Sequence, residues 1–300
     1  MTPKRSDSEA AGLRDFLKRV GSYARDLIYG VPPDKYLFHY TDLNGLQGIL
    51  SNADLWLTDS RYLNDSEEMR HGYAVAKRVL DERTANEGDP QKLEYLGKVR
   101  ELLGKPPVEA VYIGCFCLEG NLLSQWRGYA GNGSGVSLEF DPPKFGQITG
   151  DDSPSRGLMR LWTVFYNEET QTSIMNNALQ FGYQRPGSLD ERAKYAAEAI
   201  FFFVPTFKHN DFHQEDECRL IFTPPPDCTV APRFRVSRGM LVPYYSVRDL
   251  TKGSFKLPIK RIVVGPSPHR DLNAASVKAM LAASGIEGID VETSKTPFRA

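Results

Sequence analysis

The segment Glu215-Asp216-Glu217-Cys218-Arg219 places three charged side chains at two-residue spacing directly before the apolar run Leu220-Ile221-Phe222. A strand alternates its faces, so extended backbone here turns Glu215, Glu217 and Arg219 the same way. Three charges on one face of a segment entering a core are costly unless they line a wet cleft or pair with one another. Lys208, His209 and His213 stand just upstream and complete the densest such cluster in the chain. In that setting one carboxylate can act as a general base or stabilise a cationic transition state, and its neighbour can orient a nucleophile. The bland alternative is an exposed edge on which Lys208 and Arg219 neutralise the acids.

Two further groups have chemical reach. In Phe38-His39-Tyr40-Thr41, His39 and Thr41 share a face, and an imidazole with a hydroxyl two residues on can grip a ribose or an amide. The alternative is a core histidine satisfied by backbone. In Ser124-Gln125-Trp126-Arg127-Gly128-Tyr129, Trp126 and Tyr129 lie three apart on one helical face and offer a flat surface for a planar ring. Arg127 can pair with phosphate or carboxylate. The alternative is an aromatic staple under the sheet. Asn64-Asp65-Ser66-Glu67-Glu68 has metal-ligand chemistry but reads better as a helix N-cap with acids in its first turn. His209 and His213 fall in a loop, and a helical H-E-x-x-H is absent, so no metal is expected. No phosphate-cradling Walker loop, dinucleotide glycine fingerprint or G-x-S-x-G elbow occurs. Cys115, Cys117, Cys218 and Cys228 suit reduced, mostly buried thiols.

The elements that must hold these residues follow from periodicity and punctuation. Residues 8–29 pattern as an amphipathic helix through Leu13, Phe16, Leu17 and Val20. Lys35 to Tyr40 is a short strand. Asp42 caps a helix through Leu50 that turns Leu43, Leu46, Ile49 and Leu50 inward. Leu55 to Thr58 is the next strand, and a helix carries Met69, Tyr73, Ala76, Val79 and Leu80. Thr84 to Lys105 reads as a solvated helical insertion. Strands follow at Ala110–Leu118, Gly135–Phe140 and Met159–Tyr166, the last after a polar loop at 149–157. Helices are expected at 168–181 and 188–204. Glu217–Phe222, Met240–Tyr245, Lys260–Val264 and Ile289–Thr293 complete the strands, with a helix over Leu272–Ser284. Strands and helices mix without strict alternation, which argues for α+β. The division is a helical extension over 1–34 and one domain over 35–300.

The 300 residues are 25% charged and 41% hydrophobic, with a net charge of -1. That composition is ordinary for a globular protein and gives no global basic field for nucleic acid. The N-terminus lacks the apolar stretch of a secretory signal, and no run is long enough to span a bilayer, so a cytoplasmic protein without membrane contact is expected.

Leu37-Phe38-His39-Tyr40-Thr41, Leu55-Trp56-Leu57-Thr58, Cys115-Phe116-Cys117 before Gln125-Trp126-Arg127-Gly128-Tyr129-Ala130, and Lys208 with Glu215-Asp216-Glu217-Cys218-Arg219 resemble domain-of-unknown-function family 2971. The resemblance runs over about residues 35 to 299 and implies no activity by itself. A more distant resemblance is to ADP-ribosyltransferases. It implies a mixed or antiparallel split sheet with surrounding helices, and NAD as substrate. Under it, His39, supported by Tyr40 and Thr41, binds a ribose of NAD, and Trp126 or Tyr129 stacks on nicotinamide. Arg127 or Arg219 holds the pyrophosphate. Glu217 stabilises the oxocarbenium-like state, with Glu215 orienting the acceptor. The paired tyrosines and the serine-threonine-serine strand of the best-known members are absent.

Three functions are therefore set against each other. The first is an ADP-ribosyltransferase, a toxin or anti-phage effector with a nucleic-acid or protein acceptor and a possible antitoxin. In it His39 and Glu217 meet across one cleft near an aromatic. The second is a non-catalytic nucleotide-sensing or interaction module. The third is a metal-dependent nuclease or hydrolase using Asp65, Glu215, Glu217 and Lys208.

Overall fold

The computed structural model describes residues 35–63, 67–104, 110–145, 159–225, 228–237 and 239–297. The expected helix over 8–29, the run Asn64-Asp65-Ser66 with the side chains of Glu67 and Glu68, and the polar loop at 149–157 lie outside that description. The architecture is α+β, built on a mixed, open, largely antiparallel sheet.

Strand β1 (Leu37–Thr41) leads into helix α1 (Leu43–Asn52). Asp42 starts α1 by accepting the amide of Gly45 at 2.7 Å, and Ala53 ends it in a left-handed conformation. Leu46 and Leu50 are buried by α1 as expected, whereas Leu43, in its first turn, stays exposed. After β2 (Trp56–Asp59), helices α2 (Glu67–Ala85) and α3 (Pro90–Gly104) form a hairpin. The segment expected as a solvated insertion is amphipathic instead. Tyr95, Leu96 and Val99 of α3 are buried, and the Tyr95 hydroxyl donates to the Leu179 carbonyl at 2.6 Å.

Strand β3 (Tyr112–Cys117), short helix α4 (Leu123–Gly128) and strands β4 (Val136–Phe140) and β5 (Met159–Thr163) follow. Helix α5 (Glu168–Gln184) is capped by Asn167, and α6 (Leu189–Phe203) by a reciprocal Ser188–Glu191 box. Strand β6 (Glu217–Phe222) returns to the centre of the sheet. The remaining elements are the hairpin β7 (Arg233–Ser237) and β8 (Met240–Ser246), the turn-long α7 (Val247–Leu250), β9 (Ile259–Val264), α8 (Arg270–Ala283) and β10 (Asp290–Thr293).

The strand order β10-β9-β4-β1-β3-β2-β8-β7 is joined at β3 by β6, which carries β5. Among the described residues, only β9 and β10 run parallel within it. Strand β3 has three partners. It pairs with β6 along its whole length, with β2 at Tyr112 and Ile113, and with β1 at Cys117 alone. Because β6 occupies one edge, β1 and β2 share the other and part from each other between Ile113 and Cys117. The sheet is thus split at β3.

One face of the sheet packs Leu37, Phe116, Leu138 and Leu220 against α1, α7 and α8. The other is covered in two places. Tyr40 and Cys117 lie under α4 through Trp126, while Trp162 and Phe165 lie under the bundle of α2, α3, α5 and α6. No helix among the described residues is long and apolar enough to cross a membrane.

Candidate functional site

The site is built on the fork. Where β1 and β2 diverge, the carbonyl of Cys115 faces an edge that neither strand pairs. A buried strand carbonyl needs a donor, and Nδ1 of His39 supplies it at 2.9 Å. A carbonyl only accepts, so Nδ1 carries the hydrogen and Nε2 of the neutral ring is an acceptor. Burial, opposed by the Cys115 carbonyl and aided by the charge of Arg235, holds the His39 pKa below its ordinary value. The ring packs on Phe116 at 5.8 Å between centroids. Alternation from the Phe38–Cys117 pair turns His39 and Thr41 toward the Phe116 face and Tyr40 toward the Cys117 face.

The acids come from the other edge of β3. Cys117 pairs with Glu217 and Cys115 with Arg219. The expectation that Glu215, Glu217 and Arg219 share one strand face is corrected. Asn210–Glu215 winds as a 3-10 turn, and Asp216 takes a left-handed conformation (φ 44°), so the strand begins only at Glu217. Glu215 nevertheless returns to the cluster through Lys208, whose Nζ lies 2.5 Å from Glu215 Oε2 and 3.1 Å from Glu217 Oε2. Arg219 grips Glu217 in bidentate fashion, Nε to Oε1 and Nη2 to Oε2, both at 2.8 Å, and its Nη1 donates to the Pro205 carbonyl. The Cys115 thiol also bonds to Glu217. Lys208, Glu217 and Arg219 are 2%, 6% and 1% exposed, and Glu215 is half-buried. Two cations thus balance two acids. Burial pushes the Glu217 carboxyl up, but the Arg219 and Lys208 charges outweigh it and hold it down at about 2.

Four donors thus converge on the Glu217 carboxylate, whereas Glu215 Oε1 has no partner among the described residues. His39 and Glu217 do not touch. By register they lie on opposite faces of the sheet, His39 with Phe116 and Glu217 with Cys117, and Cys115 links them, its carbonyl bonded to one and its thiol to the other.

The aromatic residues divide. Trp126 is fully buried, its Nε1 donating to Asn121 and its edge set against Tyr40 at 4.9 Å, so it has no face to offer a ligand. Tyr40 is likewise structural. Its hydroxyl donates to the Glu119 carbonyl and accepts the Leu122 amide, fixing the loop before α4. These two are corrections to the ligand roles that the ADP-ribosyltransferase resemblance implied, and in each case burial is the reason. Tyr129 is exposed. Burial of its phenol end, and then the Glu215 carboxylate, push its pKa up, which puts it beside the acids. Arg127 is exposed on α4. Thr41 abuts α1 closely enough that a Cβ at Gly45 would fall 1.9 Å from its Oγ1.

His209 contacts Asp211 at 3.3 Å and His213 the Asn210 carbonyl at 2.9 Å, each local and exposed. Among the described residues no three His, Cys, Asp or Glu side chains stand where they could hold a metal ion, and Asp65 lies outside the description. Sequence reasoning missed Arg235, which donates to Thr58 Oγ1 at 3.0 Å on the Cys115-thiol side of the sheet. The available signal was the Arg-x-Arg alternation over 233–237.

No curated protein and no solved structure matches the chain. Residues 125–220, which run from α4 to the middle of β6 and hold Tyr129, Lys208, Glu215, Glu217 and Arg219 but not His39, match the model of a family described as protein of unknown function (DUF2971).

Proposed function

We propose that the chain is an ADP-ribosyltransferase-like enzyme that cleaves NAD and passes ADP-ribose to a macromolecular acceptor, nucleic acid or protein, as a toxin or anti-phage effector. The observation that carries this reading is the double use of Cys115, which links His39 and Glu217 through the fork from opposite faces of the sheet. Breaking the nicotinamide–ribose bond builds positive charge on the sugar, and fixed carboxylates beside it lower the barrier. His39 Nε2 is the acceptor for a ribose hydroxyl, and the exposed Tyr129 ring is the aromatic wall. Glu215, with one oxygen open, is the carboxylate that meets substrate. Glu217 holds Lys208 and Arg219 in place and stabilises charge from behind.

The test is nicotinamide release from NAD by the purified chain, alone and with RNA, DNA or cell lysate. Glu215→Gln and His39→Ala are each expected to lower release by about a hundredfold, with near-ultraviolet circular dichroism reporting that they fold. Labelled ADP-ribose recovered in one fraction identifies the acceptor. No release from folded protein in any mixture overturns the reading. A second reading, a nucleotide-binding module without turnover, is favoured by the four donors on Glu217. It is separated by NAD binding in calorimetry without nicotinamide release.

A further inference from the structure

Arg235 is a half-buried guanidinium with no carboxylate at ion-pair distance among the described residues. Its Nη2 donates to Thr58 Oγ1, and its Nε is buried with no acceptor. The guanidinium carbon lies 5.6 Å from the centre of the Trp56 ring, which is stacked on Tyr244 at 4.6 Å. Three other arginines on the sheet are matched by carboxylates: Arg219 by Glu217, Arg261 by Glu139, and Arg233, two residues away on the same strand, by Asp249. Withdrawing an unmatched cation from water is unfavourable. The chain does so beside the fork, where the charge of Arg235 reaches His39 and feels Asp42.

We infer that Arg235 and Thr58 receive a phosphate group of the ligand bound at the fork, with Trp56 as the flat wall beside it. The inference rests on the nucleotide reading above and gives it a polarity: phosphate toward β7, reacting sugar toward Glu215. A guanidinium fork matches phosphate oxygens, and here Nη1 has no partner among the described residues while Nε is buried without an acceptor. The ligand is a small nucleotide rather than a nucleic-acid backbone, because a single arginine in a chain of net charge -1 is not a phosphate-tracking tract.

The experiment titrates the full chain with pyrophosphate and follows tryptophan fluorescence, with Trp56→Phe assigning the signal. Saturable binding is expected, weakened about tenfold or more by Arg235→Met, less by Arg235→Lys, and unchanged by Arg233→Met. Equal affinity in Arg235→Met and the natural chain, an equal loss in Arg233→Met, malonate binding as tightly as pyrophosphate, or no binding by folded protein would each overturn the assignment. If pyrophosphate binding depends on Arg235 while NAD is never cleaved, the phosphate seat stands and the enzymatic reading falls. If NAD is cleaved with the same KM in Arg235→Met, the seat falls and the enzymatic reading stands.

Discussion

Arg219 neutralises Glu217 from inside the protein, and that fixes what substitutions there do. Removing one partner of a buried pair leaves the other charge without compensation and costs about 3–5 kcal/mol. Arg219→Met is therefore expected to lower unfolding free energy by about that amount, read from urea titration. Glu217→Gln leaves Lys208 and Arg219 against Glu215 alone, so loss of activity in that variant counts only with its fold verified. His39 gives a pH signature. Burial and the Arg235 charge hold it neutral below its ordinary value of 6.5. Protonation turns Nε2 from acceptor to donor, so ribose binding is expected to hold at neutral pH and fall as pH drops through a midpoint below 6.5. A KM for NAD that is flat through that range would contradict the role. At this scale the acids were legible, because charge entering an apolar strand has few explanations. The crowding of donors on Glu217 was not, because it depends on Pro205, Lys208 and Cys115 converging from separate segments.

Helix α1 must seat its first turn on the end of β1, and Gly45 makes that approach possible. A methyl there meets Thr41 Oγ1 at 1.9 Å, with Thr41 Cβ at 3.2 Å and Asp42 Oδ1 at 3.4 Å. Gly45→Ala is expected to destabilise by about 1–3 kcal/mol, as overpacking does. Thr41→Ala should recover much of the loss, and a thermal double-mutant cycle showing simple additivity would refute the contact. Most elements could be read from the sequence because capping residues and apolar periodicity agree, as at Asp42, Asn167 and Ser188. Strand β7 could not. Its pattern is inverted, with Arg235 turned inward onto Thr58 while Phe234 and Val236 are 58% and 80% exposed. The buried face of helix α3 was hidden for the opposite reason: Tyr95, Leu96 and Val99 are few among charges, yet the facing helix α6 buries them.

Across the whole molecule, two apolar cores meet at one polar joint. The sheet packs on α1, α7 and α8, and the bundle of α2, α3, α5 and α6 forms its own core around Phe203 and Phe207. Arg219 bonds the Pro205 carbonyl, Lys208 bonds Glu217, and buried Gln171 ties the Lys208 and Phe165 carbonyls together. The charge network is thus both the candidate site and the clamp between bundle and sheet. Glu217 has its carboxyl pKa lowered in the folded state, from 4.5 to about 2. Its contribution is therefore fully present above 4.5 and lost as pH falls from 4.5 toward 2. Neutral His39 acts in the same direction, since the unfolded chain takes its proton first. Protonating Glu217 strands Lys208 and Arg219 as buried cations, so the joint gives way before either core does. Hydrogen exchange in this acid window is expected to accelerate first in α5, α6 and the 204–216 segment, with β1 and β4 protected longer. Arg219→Met should move that early loosening to neutral pH. Uniform acceleration of sheet and bundle together would mean that the apolar contacts of Trp162 and Phe207, rather than the charges, hold the two halves in register.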